Sequence, residues 1–188
     1  MSIAAIAVAL GVLAGFLSGG RPANARQVRA LNALWAGVVL QVAPQLVDVA
    51  DGLGFVLVVA GYVMLLAFAI ANVRLVGMPV VVVGLALNVA VIAANQGMPV
   101  RPAAIVAAHQ AGWDELAGLD LGAKRHLEER DDRLTLFGDR IPIQPLREVV
   151  SFGDLILAFG VANVSFRLLR PLGARRRVNS RGLVALGA

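Results

Sequence analysis

Five apolar stretches, at about 2–17, 30–47, 53–71, 75–94 and 152–169, divide this chain, and the charges between them are sorted by sign. If each stretch crosses a bilayer, all 12 carboxylates fall on one face: Asp48 and Asp51 in the second connection, the rest from Asp114 to Asp154 in or beside the fourth. Arg21, Arg26, Arg29, Arg74, Arg167, Arg170, Arg175, Arg176, Arg177 and Arg181 fall on the other face with no acid among them. Cytoplasmic loops of membrane proteins carry the excess of Lys and Arg. The pattern predicts an all-α integral membrane protein of about five transmembrane helices. Its N-terminus lies outside and its C-terminus in the cytoplasm of a cell whose plasma membrane it spans several times.

Composition removes several function classes. The chain is 59% hydrophobic over 188 residues, with a mean hydropathy of +0.78, which leaves too little polar surface for a soluble domain. A net charge of +5 would suggest nucleic acid in a soluble protein. Here the excess belongs to one membrane face, so the expected partners are the bilayer and anionic lipids at the cytoplasmic side, with other membrane proteins and no nucleic acid. There is no cysteine, which excludes a disulfide framework, thiol catalysis and Cys-ligated zinc. No Gly-rich phosphate loop with Lys and Ser/Thr occurs, and no cofactor is assigned. Lys124 is the only lysine among 17 basic side chains.

The expected organisation is four membrane helices in 1–100, an extracytoplasmic insertion at 101–151 packed on the helix ends, a fifth helix at 152–170 and a basic cytoplasmic tail at 171–188. The first stretch reads as a retained span, because its arginines follow the apolar run and do not precede it as in a signal peptide. Its sixteen residues would reach only about 24 Å. The second stretch carries Asn32, Gln41, Pro44 and Gln45; if it failed to span, every later orientation would invert. Asn72-Val73-Arg74 predicts a tight hairpin between the third and fourth spans, and Pro79 and Asn88 interrupt the fourth. In the insertion, 103–110 reads as a helix on the membrane surface, 124–133 as a solvated charged loop and 133–143 as part of a hairpin. So short a segment should lack a core of its own. Ala104, Ile105 and Val106 are expected in the membrane interface, and Ile141, Ile143 and Leu146 near Met98 and Phe152.

Candidate chemistry gathers at the ends of the last two spans. Asp139, in Leu136-Phe137-Gly138-Asp139-Arg140-Ile141-Pro142, and Asp154, in Val150-Ser151-Phe152-Gly153-Asp154-Leu155, each follow a glycine at a predicted boundary. Two facing carboxylates can share a proton, one acting as base and the other as acid. Asp139 and Asp154 are therefore the catalytic candidates. A structural reading stands beside this one. Ser151 and Asp154 have the spacing of a helix capping box, and Asp139 suits a turn or a partner for Arg140 or Arg147. Asn95, Gly97, Met98 and Pro99 end the fourth span as a helix cap or a binding edge, and with His126 and Ser151 they are the candidate binding residues. His126, Glu128, Glu129, Asp131 and Asp132 are donors of the kind that bind cations, but no EF-hand or zinc spacing joins them, so no metal site is assigned. Asn95, Asp139 and Asp154 are expected to converge on one shallow outer pocket.

Asp139-Arg140 with Phe152-Gly153-Asp154 and Gly160 is weakly similar to the lipoprotein signal peptidases, which implies a membrane aspartyl hydrolase. Leu136 stands where that family carries an Asn, which weakens the likeness. Taken from Asn95 to Gly160, with Asn-x-Gly-Met-Pro, His126, Leu-Phe-Gly-Asp-Arg-Ile-Pro and Val-Ser-Phe-Gly-Asp, the chain resembles an uncharacterised family of small membrane proteins of actinobacteria and related Gram-positives, a domain of unknown function. The resemblance implies a membrane-embedded helical fold and no activity. It singles out Asn95, Gly97, Met98, Pro99, Gly138, Asp139, Pro142, Ser151, Gly153 and Asp154. The expected function is a scaffold or accessory membrane component with an outer-face site. The alternatives are an aspartyl hydrolase at the outer leaflet and, with no mid-span charge to support it, a small transporter.

Overall fold

The computed structural model describes residues 10–14, 28–46, 51–122 and 124–169. Most of the first apolar stretch and the tail from 171 onward lie outside the described residues. The rest is mostly helical: α1 (Leu31–Leu46), α2 (Asp51–Ala71), α3 (Met78–Asn95), α4 (Pro102–Ala107) and α5 (Phe152–Leu169). Three helices, Gly52–Ala71, Met78–Asn95 and Phe152–Leu169, are long and apolar enough to cross a membrane, and α1 is a shorter apolar helix. At 1.5 Å per residue the three reach about 27–30 Å, close to the thickness of a bilayer core.

Local sequence explains where these helices start and stop. The expected break at Pro79 does not occur, because α3 begins at Met78 and places the proline in its first turn, where the missing N–H costs nothing. The turn from α2 therefore runs from Asn72 to Gly77. Gly77 takes φ +99, and a Cβ there would also press on the Val164 backbone of α5. At the far end of α3, Gln96 adopts a left-handed conformation and returns its N–H to Ile92.

Glycines set the helix packing. Gly37 of α1 faces Gly61 and Leu65 of α2, and the Gln41 amide donates to the Val58 carbonyl at 3.2 Å. Gly84 of α3 meets Gly153 and Leu157 of α5, and Gly160 of α5 meets Val81; a Cβ at Gly84 or Gly160 would come within 2.7 Å of backbone. Without a hydrophobic drive between helices in lipid, such close approach is what allows dense packing. The main core joins Val58, Tyr62, Ala69, Met78, Val81, Leu85, Val91, Ile92 and Val164. Outward, Val39, Val56, Val63, Ile70, Val83 and Phe159 remain exposed, as lipid-facing positions would be.

Between α3 and α5 the chain builds four three-residue strands: β1 (Met98–Val100), β2 (Arg125–Leu127), β3 (Ile141–Ile143) and β4 (Glu148–Val150). β1 and β2 pair in parallel, with Pro99 opposite His126. β3 and β4 form an antiparallel hairpin, and a bridge from Val100 to Asp139 links the two pairs. Only the last three residues of the predicted 133–143 segment are strand. Ala104 and Ile105 are 4% and 0% exposed, in a second core with Val100, Ala108, Leu116 and Val149, against which Val106 packs. The expectation that they lie in the membrane interface is thus corrected: enough apolar side chains converge to give the insertion a small core. β3, which carries Ile141 and Ile143, packs on α4.

Candidate functional site

The N-terminus of α5 carries a reciprocal capping box. The Ser151 hydroxyl oxygen accepts the Asp154 N–H at 3.0 Å, and Asp154 Oδ2 accepts the Ser151 N–H at 3.2 Å. Two orphan helix donors are satisfied together. Asn88, midway along α3 and 1% exposed, docks onto this box. Its amide donates to Asp154 Oδ1 at 2.7 Å, and its carbonyl oxygen accepts the Ser151 hydroxyl at 3.0 Å. Gly153 makes room for the contact, since a Cβ there would overlap Asn88 Oδ1. The hydroxyl of Tyr62, from α2, lies within hydrogen-bonding reach of the Asn88 side chain. Three helices are thus joined through one asparagine.

Asp139 lies beside this hub on the insertion side. Its backbone is fixed by hydrogen bonds from Asp139 N–H to the Pro99 carbonyl and from Arg101 N–H to the Asp139 carbonyl, each 2.9 Å. Gly138 permits that approach, because a Cβ would come 2.7 Å from the Pro99 oxygen. The Asp139 side chain is 1% exposed and lies 2.8 Å from Arg125 Nε. The contact is an ion pair without hydrogen-bond alignment: neither carboxylate oxygen has a hydrogen-bond partner among the described residues. Burial pushes the Asp139 carboxyl up to about 7, Arg125 and Lys124 pull it down, and the Asp154 charge adds to the rise. Burial likewise pushes the Lys124 ammonium down, helped by Arg125 and opposed by Asp154, Asp139 and Glu148. A closed cluster of opposed charges therefore sits where the insertion meets the bundle.

The structure thus brings Asp139, Ser151 and Asp154 to one seam. Asp139 and Asp154 feel each other's charge, but no hydrogen bond joins them and both Asp154 oxygens are occupied. The remaining candidates lie elsewhere. The Asn95 amide donates to the Arg133 carbonyl at 2.8 Å, and its oxygen accepts the Arg133 N–H at 2.7 Å. Asn95 borders a shallow cleft of about 440 Å³ with His126 and Asp132, so the common pocket expected for Asn95, Asp139 and Asp154 does not form. His126 Nε2 lies 3.0 Å from Asp132 Oδ1, and Gly97 leaves space for its ring. Met98 belongs to the main core, and Pro99 is buried in β1. Among the described residues no three His, Asp or Glu side chains group as a metal site. Asn88, Tyr62, Lys124 and Arg125 complete the seam and were not among the sequence candidates. The loop read as solvated at 124–133 begins with two half-buried cations: Arg125 pairs with Asp139, and the charges of Asp154, Asp139 and Glu148 offset the burial of Lys124. Three of the four left a trace in the sequence: the only tyrosine, the only lysine and one asparagine within an apolar run.

Fold and seam together define a class: a helical protein with membrane-capable helices, carrying between its last two a small strand-containing insertion locked on by buried polar contacts. Within that class the chain belongs to a family of unknown function, DUF5317, whose pattern matches residues 26–166. The match covers α1 to the last turn of α5, including every seam residue. No curated protein and no solved structure matches the chain.

Proposed function

We propose that this protein is a multi-pass component of the cell membrane, N-terminus outside and C-terminus cytoplasmic. It works as a non-enzymatic scaffold or accessory subunit that presents residues 101–151 at the outer face. The observation that carries the reading is the use of its two candidate catalytic acids: Asp154 is spent on the capping box and Asn88, and Asp139 is sealed against Arg125. A hydrolytic pair must hold a common water open to substrate; here Asp154 is tied up at the start of α5 against α3, and Asp139 within the insertion against Arg125. Charge placement supports the orientation. Arg74 lies in the α2–α3 turn, Arg29 is tied to that turn through Asn72, and Arg167 lies in the last turn of α5, all at the end away from the insertion. Anionic headgroups at that face are the expected lipid partners.

The test compares Asp139→Asn and Asp154→Asn in a strain lacking the gene, scored by whatever growth or envelope defect the loss causes. A scaffold predicts rescue by both variants in proportion to the protein that accumulates in the membrane. Full accumulation without rescue by either would reject the scaffold and favour the aspartyl hydrolase, for which the mutual influence of Asp139 and Asp154 is the supporting observation.

A further inference from the structure

The connection between β2 and β3 bears an apolar feature that the seam does not use. Residues 133–137 form a tight knuckle: Phe137 N–H donates to the Leu134 carbonyl at 2.8 Å, and Gly138 N–H to the Thr135 carbonyl at 3.0 Å. Phe137 turns inward onto the main core. Leu134 and Leu136 turn outward, 49% and 59% exposed. Leu134 also holds φ +54, a left-handed conformation that a leucine adopts only when its surroundings impose it.

We propose that this knuckle is a lipid-contacting element, with Leu134 and Leu136 seated in the interfacial zone of the bilayer that the helices cross; the inference rests on the membrane reading above. Its height is set by α3. Asn95, the last residue of that helix, grips both backbone polar groups of Arg133, so the knuckle cannot rise far from the level where α3 leaves the hydrocarbon. The exposed positions Val83, Ala86, Ala90 and Ala94 follow helical spacing along α3 towards the end at which Asn95 holds the knuckle. Arg130, Asp131 and Arg133 flank the knuckle and are exposed. Such mixed charge suits the headgroup layer of a neutral membrane, so the contact is apolar in origin and does not demand anionic lipid. It would give the insertion a second support, independent of the buried seam.

The experiment uses the full chain in phosphatidylcholine nanodiscs, with Trp35→Phe and Trp113→Phe as background and Leu136→Trp as the probe. Two single-tryptophan controls bracket it: native Trp113, exposed on the insertion, and Val63→Trp, exposed on α2. Fluorescence is quenched with phosphatidylcholine brominated near the glycerol end of its acyl chains and, separately, with acrylamide. The proposal expects bromolipid to quench the Leu136→Trp probe roughly twofold or more above Trp113, as for a group at the headgroup–acyl boundary. A probe that behaves like Trp113 while Val63→Trp is quenched overturns the knuckle and leaves the membrane reading standing. Absence of bromolipid quenching at Val63→Trp overturns both. A probe shielded from both quenchers overturns lipid contact in favour of a protein surface.

Discussion

Asn88→Ala should be the most damaging single truncation of a polar side chain in the bundle. It deletes a hydrogen bond to the Asp154 carboxylate at 2.7 Å and one from the Ser151 hydroxyl at 3.0 Å. A hydrogen bond to a charged group contributes about 1.5–3 kcal/mol and a neutral one about 0.5–1.5 kcal/mol, so simple addition gives roughly 2–4.5 kcal/mol. Interhelical hydrogen bonds in membranes measure lower, averaging about 0.6 kcal/mol, because chains unfolded in the bilayer find other partners. Asn88 departs from that average in one respect. Ser151 is 0% exposed, and its hydroxyl would keep no acceptor where Asn88 now stands. We expect a loss of about 2 kcal/mol, within the range for buried polar groups stripped of a partner. The assay is reversible unfolding of the purified chain in mixed micelles by added SDS, with helicity as the signal. Gly153→Ala supplies a cross-check, since its methyl group would displace the Asn88 oxygen. Part of its cost should vanish in the Asn88→Ala background, giving a coupling of about 1 kcal/mol, as expected for residues in contact. A loss below about 0.5 kcal/mol for Asn88→Ala, or strict additivity of the pair, would refute the hub, because a group bonded to a carboxylate and to a buried hydroxyl cannot be removed so cheaply.

Asp139 should make stability depend on pH. Its carboxyl is raised from 3.8 to about 7 in the folded chain, so its contribution is fully present below about pH 4 and is lost as pH rises through about 7; Asp139→Asn should flatten the difference in unfolding midpoint between pH 5 and pH 8, and an unchanged slope would reject the assignment. Asp154→Asn should cost about 1 kcal/mol, because its amide oxygen can still accept one of the two hydrogen bonds, whereas Asp154→Leu removes the cap and the α3 contact together and should cost about 2–3 kcal/mol by the same unfolding assay. Single cysteines in this cysteine-free chain report topology: Gly118→Cys should react with an impermeant thiol reagent on intact cells and Val73→Cys should not, and the reverse labelling would invert the proposed orientation.

What could be read from the sequence was local. The helices at 53–71 and 152–169 follow from long, mainly apolar runs, and the cap at Ser151 from a side chain and a backbone N–H three residues apart. The resemblance read between Asn95 and Gly160 is borne out as membership of a family of unknown function. The two strand pairs fared worse. Met98–Val100 and Arg125–Leu127 are each too short for a period-2 pattern to emerge, and their pairing spans 27 positions of chain. The seam was legible in part. Asn88 is visible as a polar residue in an apolar helix, but its partners lie 63 and 66 residues away, and nothing local points to them. Lys124 and Arg125 were misread because a run of charges usually marks solvated chain; here Asp139, Asp154 and Glu148 arrive from other elements and compensate their burial.

The same contacts show why insertion and bundle act as one unit. β1 leaves α3 after two residues, with Met98 still in the main core and Val100 already in the second. β4 enters α5 through Ser151, with Val149 in the second core and Ser151 on the Asn88 hub. Each junction therefore has one residue on either side of the seam, separated by a single residue of extended chain. Release of the insertion would need both junctions to give way, together with the Asn95 grip on Arg133. The insertion is thus held at a fixed height and orientation on the bundle, and substitutions at Asn88 within the helices should register at the insertion as well as in the core.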